Sequence, residues 1–470
     1  MTGKEGLQIL NDDKQEQRLE DPFDIFSVPA VNTDYDRYED HYIEPSNNIT
    51  QTGPIVFEFE TSGGEKFDSN FTEVETHYEI LTKDGVKTTS ADKISVINSL
   101  PIAHFDKIEV KMNDKIVTNS SSGNHAYHAY FQQKFSYSKA AKKEILKRTE
   151  FYYEDELDNL NQHEVKKVTD KQGVETEKDD VFLQKHKMFV ANNKTVVCRS
   201  QLYMDIFNVH KYFPTDIDYV ITLTRNPESF CLMGAKEKEG EYKIKIDKIR
   251  LIVRKIIPSV SRIAEEAALM NSKTMAYIPY THAVMTSQLM QEGTRSKTFR
   301  DVCTISTLPK QVFVFMLPHL AYSGNMELNP FCFNHHKLQK INFTVRGQHY
   351  PMVPYDLDFE DNDYHRAYMD FLNAIGVGRN NTSPYITMDM FKKYCAVFVL
   401  DLQPDQCNSL HIHAGKTGTV NVEMAFRENL AQNLQVCFLA YHDQCITFKR
   451  EDGKPKTVVD VIDSNLLLVA

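Results

Sequence analysis

The feature that most constrains this chain is a two-residue alternation of apolar and polar side chains, repeated in short segments along its length. Residues 55–60 read IVFEFE, and residues 420–426 read VNVEMAF. Successive side chains of an extended strand point to opposite faces, so each segment buries one face and exposes the other. The same pattern occurs at residues 107–112, 219–223 and 341–345. The chain is therefore predicted to form mainly antiparallel, half-buried β-sheets.

Helical periodicity is limited to the connections between predicted strands. Tyr364 to Ile375 places apolar residues at helical spacing, and Gly376 follows as a C-terminal cap. Two more helices are predicted, one over roughly Ser259 to Met270 and one beginning near Ser138. Many strands with few helices exclude an alternating βαβ architecture and favour sandwiches or barrels.

One strand-like segment, Tyr242 to Lys255, changes its alternation part-way. Its apolar positions are 244 and 246 at first, and then 249, 251 and 253. A β-bulge near residues 247 and 248 would produce this shift within one strand. Two separate short strands would explain it equally well, so both interpretations stay open.

The length of 470 residues predicts two domains of about 200 residues each, because one ordinary core cannot serve so long a chain. Residues 225–242 join two alternating strands through glycine and charged residues, which is typical of a domain junction. Each half then holds about the number of strands that an eight-stranded jelly roll needs. We predict a mainly β fold of two consecutive eight-stranded jelly rolls, with an N-terminal arm at 1–45, the first jelly roll at 46–235 and the second at 236–470.

Charge and cysteine content limit the function and the compartment. The formal net charge is -11 and the isoelectric point is near 5.9, which disfavours direct, sequence-specific binding of nucleic acid. The eight cysteines show no CxxC spacing and are predicted to be reduced and mostly buried. No signal peptide and no apolar run of about 18 residues is visible. We therefore expect no transmembrane segment, and folding in the cytosol or nucleus.

Two histidine pairs have spacings that invite comparison with metal sites. His411 and His413 form the HxH pattern that points two imidazoles at one metal in cupin jelly rolls, but no glutamate follows shortly after them. A solvent-facing pair in a loop is the preferred interpretation. His335 and His336 are adjacent, so on a strand they would face opposite ways. Neither pair is predicted to bind a metal.

Three further patterns also have simpler explanations than a ligand site. Residues 415–417 (GKT) end like a phosphate-binding loop, but Leu410 stands where its first glycine should be, and a strand follows instead of a helix. Residues 356–361 lack the glycine and spacing of an EF-hand, so a solvated acidic loop is preferred to a calcium site. The aromatic residues 152–153 and 313–315 suit packing better than base stacking. No catalytic, cofactor-binding or metal-binding residue is predicted, and no cofactor.

Seven segments of the chain serve as landmarks: residues 21–29 (DPFDIFSVP), 125–130 with 136–139 (HAYHAY, SYSK), 202–233, 249–255 (IRLIVRK), 329–333 (NPFCF), 401–405 (DLQPD) and 418–426 (GTVNVEMAF). They resemble, in the family's order, segments of the major capsid proteins of Polinton/Maverick elements and their adintovirus relatives. The end of the chain departs from this pattern. Residues 441–450 lack the acidic and arginine residues of the family's last strand, and residues 451–470 have no counterpart.

This resemblance implies a structural major capsid protein that is not an enzyme. Three double jelly-roll chains would form a homotrimer of pseudo-hexagonal outline, and such capsomers would tile an icosahedral shell with each other, a penton protein and minor capsid proteins. It implies synthesis in the host cytoplasm, assembly there or in the nucleus, and a final location in the virion. Two alternatives stay open. One is a domesticated, transposon-derived protein with a host binding role, and the other is a jelly-roll lectin or cupin-like enzyme.

Overall fold

The computed structural model describes residues 32–119, 125–154, 160–169, 175–178, 180–192, 194–303, 305, 307–377, 383–403, 412–413, 415–451 and 456–464. Strands predominate in this part of the chain, and nearly all of them belong to two sandwiches of antiparallel sheets. Of the predicted arm, 1–45, residues 1–31 lie outside it.

The first sandwich is built from two four-stranded sheets. In spatial order, one sheet contains β1 (Tyr35–Ile43), β12 (Tyr242–Pro258), β3 (Lys66–Thr82) and β9 (Val196–Gln201). The other contains β2 (Ile55–Thr61), β10 (Ile217–Arg225), β5 (Phe105–Met112) and β6 (Lys115–Asn119). If the eight strands are lettered B to I in chain order, the sheets have the orders B-I-D-G and C-H-E-F. This is the arrangement of an eight-stranded jelly roll.

The second sandwich repeats the same arrangement. One sheet contains β13 (Ala276–Met290), β20 (Leu434–Lys449), β15 (Gln311–Pro318) and β18 (Phe398–Asp401), and β21 (Val458–Asp463) pairs with the far end of β20. The facing sheet contains β14 (Ser296–Phe299), β19 (Val420–Phe426), β16 (Leu338–Val345) and β17 (Gln348–Asp356). The prediction of two consecutive jelly rolls is confirmed.

Shorter elements occupy the connections. Two small strand pairs are β4 (Ile94–Val96) with β11 (Leu232–Gly234) and β7 (Lys167–Thr169) with β8 (Glu175–Glu177). The α-helices of the described residues are α1 (Leu100–Ala103), α2 (His125–Ser136), α3 (Lys139–Glu144), α4 (Val181–His186), α5 (Glu228–Cys231), α6 (Val260–Asn271), α7 (His319–Ser323), α8 (His365–Ala374) and α9 (Met388–Tyr394). The structure also has 3₁₀ turns at Leu146–Thr149, Asp205–Asn208 and Lys236–Lys238, and a π-turn at Lys187–Ala191.

The alternating segments form the predicted strands. In β19, Val420, Val422 and Met424 are fully buried between the sheets, whereas Asn421 and Glu423 face outward. Each apolar side chain buried in this way stabilises the sandwich by roughly 1.5–3 kcal/mol. The three predicted helices are also present, although the one near Ser138 lasts only six residues, as α3.

The register shift predicted in residues 242–255 is a β-bulge. β12 is one continuous strand, and its pairing with β3 skips a residue between Ile246 and Lys248. The bulge turns the side chains that follow it, so that Ile249 and Leu251 remain on the core face. The alternative of two short strands is thereby excluded.

Strand pairing divides the chain differently from the predicted boundaries. β12 pairs with both β1 and β3, so it belongs to the first sandwich and not to the second. β1 lies within residues 1–45, the predicted arm, yet it forms the edge of that sheet. The segment 225–242 is only the connection from β10 to β12, and its glycine and charged residues gave it the composition of a linker. The link between the sandwiches is α6, which follows Pro258.

The two sandwiches share one hydrophobic core, because α2 of the first packs on the outer face of the β13-β20-β15-β18 sheet. The Phe131 ring centroid lies 5.0 Å from that of Phe315, and the Tyr130 ring stacks on Phe331 at 4.2 Å. The apolar run of β15 is consequently buried on both faces. This contact fixes one sandwich against the other.

Candidate sites and assembly surfaces

The predicted HxH pair does not form a described metal site. His411 lies outside the described residues. The backbone N–H of His413 donates to Asp443 Oδ2 at 3.3 Å, and the other oxygen of Asp443 lies 3.2 Å from Lys310 Nζ. In the part of the chain that the structure describes, no group of three or more His, Cys, Asp or Glu residues is placed to hold a metal ion.

His335 and His336 form a turn before β16. The His335 ring stacks on Phe359 with centroids 4.0 Å apart, and its Nδ1 accepts the backbone N–H of Lys337 at 3.0 Å. Burial lowers the pKa of each histidine to about 4, so both imidazoles are neutral near pH 7. His336 and Lys337 have φ angles of 45° and 59°. The pair shapes a tight turn.

The loop containing Gly415 and Lys416 leads into a strand. The backbone N–H of Leu308 donates to the Lys416 carbonyl at 2.7 Å, and β19 follows directly. Backbone N–H groups are therefore not aimed at a phosphate from a helix N-terminus, the geometry that a phosphate-binding loop needs.

The acidic loop 356–361 is held by hydrogen bonds and an ion pair of Asp358. Asp358 accepts the backbone N–H groups of Glu360 and Asp361 at 2.9 and 3.2 Å. Its carboxylate also pairs with the Arg427 guanidinium, which holds the pKa of Asp358 below its usual value. An arginine therefore occupies the position that a cation would need.

A polar pair that the sequence analysis missed lies between the two sandwiches. Asp205, in the turn that follows β9, places Oδ2 at 2.5 Å from Nδ1 of His282 on β13. The other oxygen of Asp205 accepts the backbone N–H of Ala283 at 3.1 Å. Both side chains are buried. The two residues are 77 positions apart, so no local sequence signal could have joined them.

The electrostatics of this pair are set by its surroundings. Burial disfavours the imidazolium, but the Asp205 carboxylate outweighs it and raises the pKa of His282. Burial lowers the pKa of the nearby His128, and lowers that of His442, opposite His282 across the sheet, to about 4. At this interface the Asp205 carboxylate thus favours the protonated form of His282, whereas burial favours the neutral forms of His128 and His442.

Exposed apolar side chains among the described residues include a pair on β17 and a pair on α6. On β17, an edge strand, Met352 is 91% exposed and Val353 is 67% exposed. On α6, the corresponding values are 84% for Val260 and 58% for Leu269. Exposed apolar surface of this kind marks contacts with other molecules when it is contiguous.

No described helix is long and apolar enough to cross a bilayer.

The comparisons with known proteins agree with the strand topology. The structure is similar to a chain of the Sputnik virophage, with a TM-score of 0.60 and 12% sequence identity over 97% of this chain and 94% of that one. It is also similar to the capsid of the PBCV-1 virus, with a TM-score of 0.51 and 8% identity over 90% and 97% of the two chains. Both are double jelly-roll viral major capsid proteins. The fold of this chain is theirs.

A relative by sequence comes from an animal. The chain is 24% identical to an uncharacterized protein of Caenorhabditis elegans over 336 residues, which is 71% of this chain and 74% of that protein. No family model matches the chain.

Proposed function

We propose that this chain is a structural major capsid protein, which forms trimeric, pseudo-hexameric capsomers of an icosahedral shell. The observation that carries the proposal is the structural match with the virophage chain, which covers 97% of this chain and 94% of that one. Its likeness to the capsid proteins of Polinton/Maverick elements and adintoviruses rests on the seven landmarks in the sequence.

The geometry gives this proposal a physical basis. Two similar sandwiches held rigidly side by side present two comparable wedges per chain. Three chains then supply six wedges, which fill a hexagonal outline, and the closed threefold symmetry determines which faces meet. A rigid contact between the sandwiches, as α2 provides, is what such tiling requires.

The absence of an enzymatic role is part of the same proposal. The histidines and acidic residues considered above are engaged in turns, ion pairs and packing within the described residues. A lectin or cupin-like activity would need a ligand-facing cluster of polar groups, and none of the motifs considered forms one there.

The nematode relative supports one alternative. A related chain in an animal proteome is expected if such genes are carried in host genomes, where a capsid protein can be retained for a host binding role. This domesticated form would keep the fold and the trimer but would not build closed shells.

Size-exclusion chromatography with light scattering tests the trimer. Three chains of 54.3 kDa give a particle of about 163 kDa. A stable monomer at micromolar concentration would contradict the proposal. Electron microscopy of the expressed protein then separates the alternatives, because only the capsid protein forms hexagonal arrays or shells.

A variant of the exposed β17 surface sharpens this test. The double substitution Met352→Glu and Val353→Glu places charge on exposed apolar surface that we expect to be buried in the trimer. It should therefore raise the dissociation constant of the trimer by at least about tenfold. Unfolding should be unchanged within about 0.5 kcal/mol because both side chains are exposed. Val86→Glu, also at an exposed valine, serves as the matched control. A trimer unaffected by the double variant would exclude β17 from the interface.

A further inference from the structure

Two adjoining cavities form a groove where the two sandwiches meet. Their volumes are about 470 and 650 Å³, and they share Lys310 and Asp443 in their walls. The groove runs from the connection between β9 and β10 to the turn between β16 and β17. It is therefore bordered by both sandwiches.

The groove is positively charged in a protein of net charge -11. Its rim carries Lys211, Arg346 and Lys416, none of which has an ion-pair partner among the described residues. Lys310 is the fourth cation, and it forms an ion pair with Asp443. The other carboxylate in the wall, Asp205, is already committed to a histidine. Unpaired cations around a concave surface attract an acidic partner.

The wall between these charges is partly aromatic. Phe135, Tyr137, Tyr203, Phe313 and Ile375 line the larger cavity. Aromatic walls under a cationic rim suit a peptide that combines acidic residues with large apolar ones, since each kind of side chain finds its own contact.

The chain itself supplies such a peptide at the edge of the groove. The Tyr35 ring, at the start of β1, lies 6.1 Å from that of Tyr212, which directly follows Lys211. The polypeptide thus enters β1 beside the rim. Residues 11–24 (NDDKQEQRLEDPFD) contain six acidic and two basic residues, and Phe23 and Phe26 lie close to the end of that stretch.

We propose that the acidic N-terminal segment, residues 11–31, binds this groove in its own chain. The carboxylates of residues 12–24 would contact Lys211, Arg346 and Lys416, and Phe23 would pack on the aromatic wall. The eleven residues 21–31 can span up to about 36 Å when extended, which is ample for a groove that begins beside β1. The inference goes beyond the capsid role and does not depend on it.

A photo-crosslinker tests the contact in the full chain. p-Benzoylphenylalanine replaces Phe23, the protein is irradiated, and cross-linked peptides are identified by mass spectrometry. We expect cross-links to residues 201–211 or 310–313. A mixture of isotopically heavy and light chains separates contacts within a chain from contacts between chains. Cross-links found only between chains, or none in the groove, would overturn the proposal.

Charge variants give the matched control. Lys211→Glu with Lys416→Glu should lower the cross-linking yield about tenfold, which corresponds to two weakened ion pairs. Asp21→Lys with Asp24→Lys in the same chain should restore it. Lys236→Glu, an exposed lysine in the connection from β10 to β12, should change nothing.

The competing occupant of a basic groove is nucleic acid. A 30-nucleotide single-stranded DNA is therefore titrated into the wild-type protein and the double-glutamate variant. Competition between the DNA and the Phe23 cross-link supports a shared groove. DNA binding that the variant loses, with no change in the Phe23 cross-link, would overturn the assignment of the groove to the N-terminal segment.

Discussion

The buried pair between Asp205 and His282 makes the contact between the sandwiches depend on pH, and Asp205→Asn tests this. Asparagine keeps the shape of the side chain and the acceptor for the Ala283 N–H, but it removes the charge that holds the proton on His282. Burial, which lowers the pKa of His282, is then opposed only by the Asp463 carboxylate among the causes of the shift. The variant therefore isolates the electrostatic part of the contact.

The sign follows from the direction of the shift. His282 has a raised pKa in the folded protein, so its protonation contributes stability that is fully present below its unfolded value of about 6.5 and is lost as the pH rises through the folded pKa. A hydrogen bond to a charged group contributes about 1.5–3 kcal/mol, and a neutral one about 0.5–1.5 kcal/mol. Asp205→Asn should thus lower the free energy of unfolding by about 2 kcal/mol at pH 6 and by about 1 kcal/mol at pH 9.

Thermal unfolding at the two pH values measures this difference. For a domain of about 200 residues, a loss of 2 kcal/mol lowers the melting temperature by about 4–8 °C. Asp218→Asn is the matched control, because Asp218 pairs with Lys456 on the surface and should contribute less than about 1 kcal/mol. A loss that is equal at both pH values, or larger at pH 9, would refute the reasoning.

Two further predictions concern the core. Phe131→Ala removes a ring that packs against Phe315 between the sandwiches and should cost about 3–5 kcal/mol in chemical unfolding, whereas a loss below 1 kcal/mol would mean that α2 does not hold them together. The seven described cysteines are buried, and burial raises the pKa of thiols such as Cys303 and Cys332 to about 12. A thiol reagent at pH 8 should therefore label at most one cysteine rapidly in the native protein, and all eight after unfolding. Rapid labelling of two or more in the native protein would contradict this burial.

Alternation was enough to predict a mainly antiparallel β protein because each sandwich buries one face of most of its strands. β2 and β19 could be located to within a residue or two, since their inward side chains are apolar and their outward ones are polar. The bulge in β12 was visible as a one-residue slip, although the sequence could not choose between a bulge and a break. Pairing with β3 along both halves of the strand decides this in favour of the bulge.

The domain boundary and the Asp205–His282 pair could not be predicted for a common physical reason. A connection between two strands of one sandwich and a linker between two sandwiches are both exposed, so they have the same glycine-rich, charged composition. Only hydrogen bonding with distant strands distinguishes them, and for β12 those partners are about 160 to 220 residues away. The same holds for a polar pair whose members come from different sandwiches.

The contact between the sandwiches nevertheless left a signal in the sequence, in two elements that break the alternating rule. β15 reads QVFVFMLP, in which Gln311 is followed by an unbroken apolar run, where a strand with one solvent face would alternate. α2 reads HAYHAYFQQKFS and has no clear polar face, as expected of a helix enclosed on several sides, and ten of its twelve residues are buried. An unbroken apolar strand in one half and a helix without a polar face in the other would each expose apolar surface to water if the other were absent. Their mutual burial makes the two jelly rolls one rigid unit, which the proposed capsomer would require.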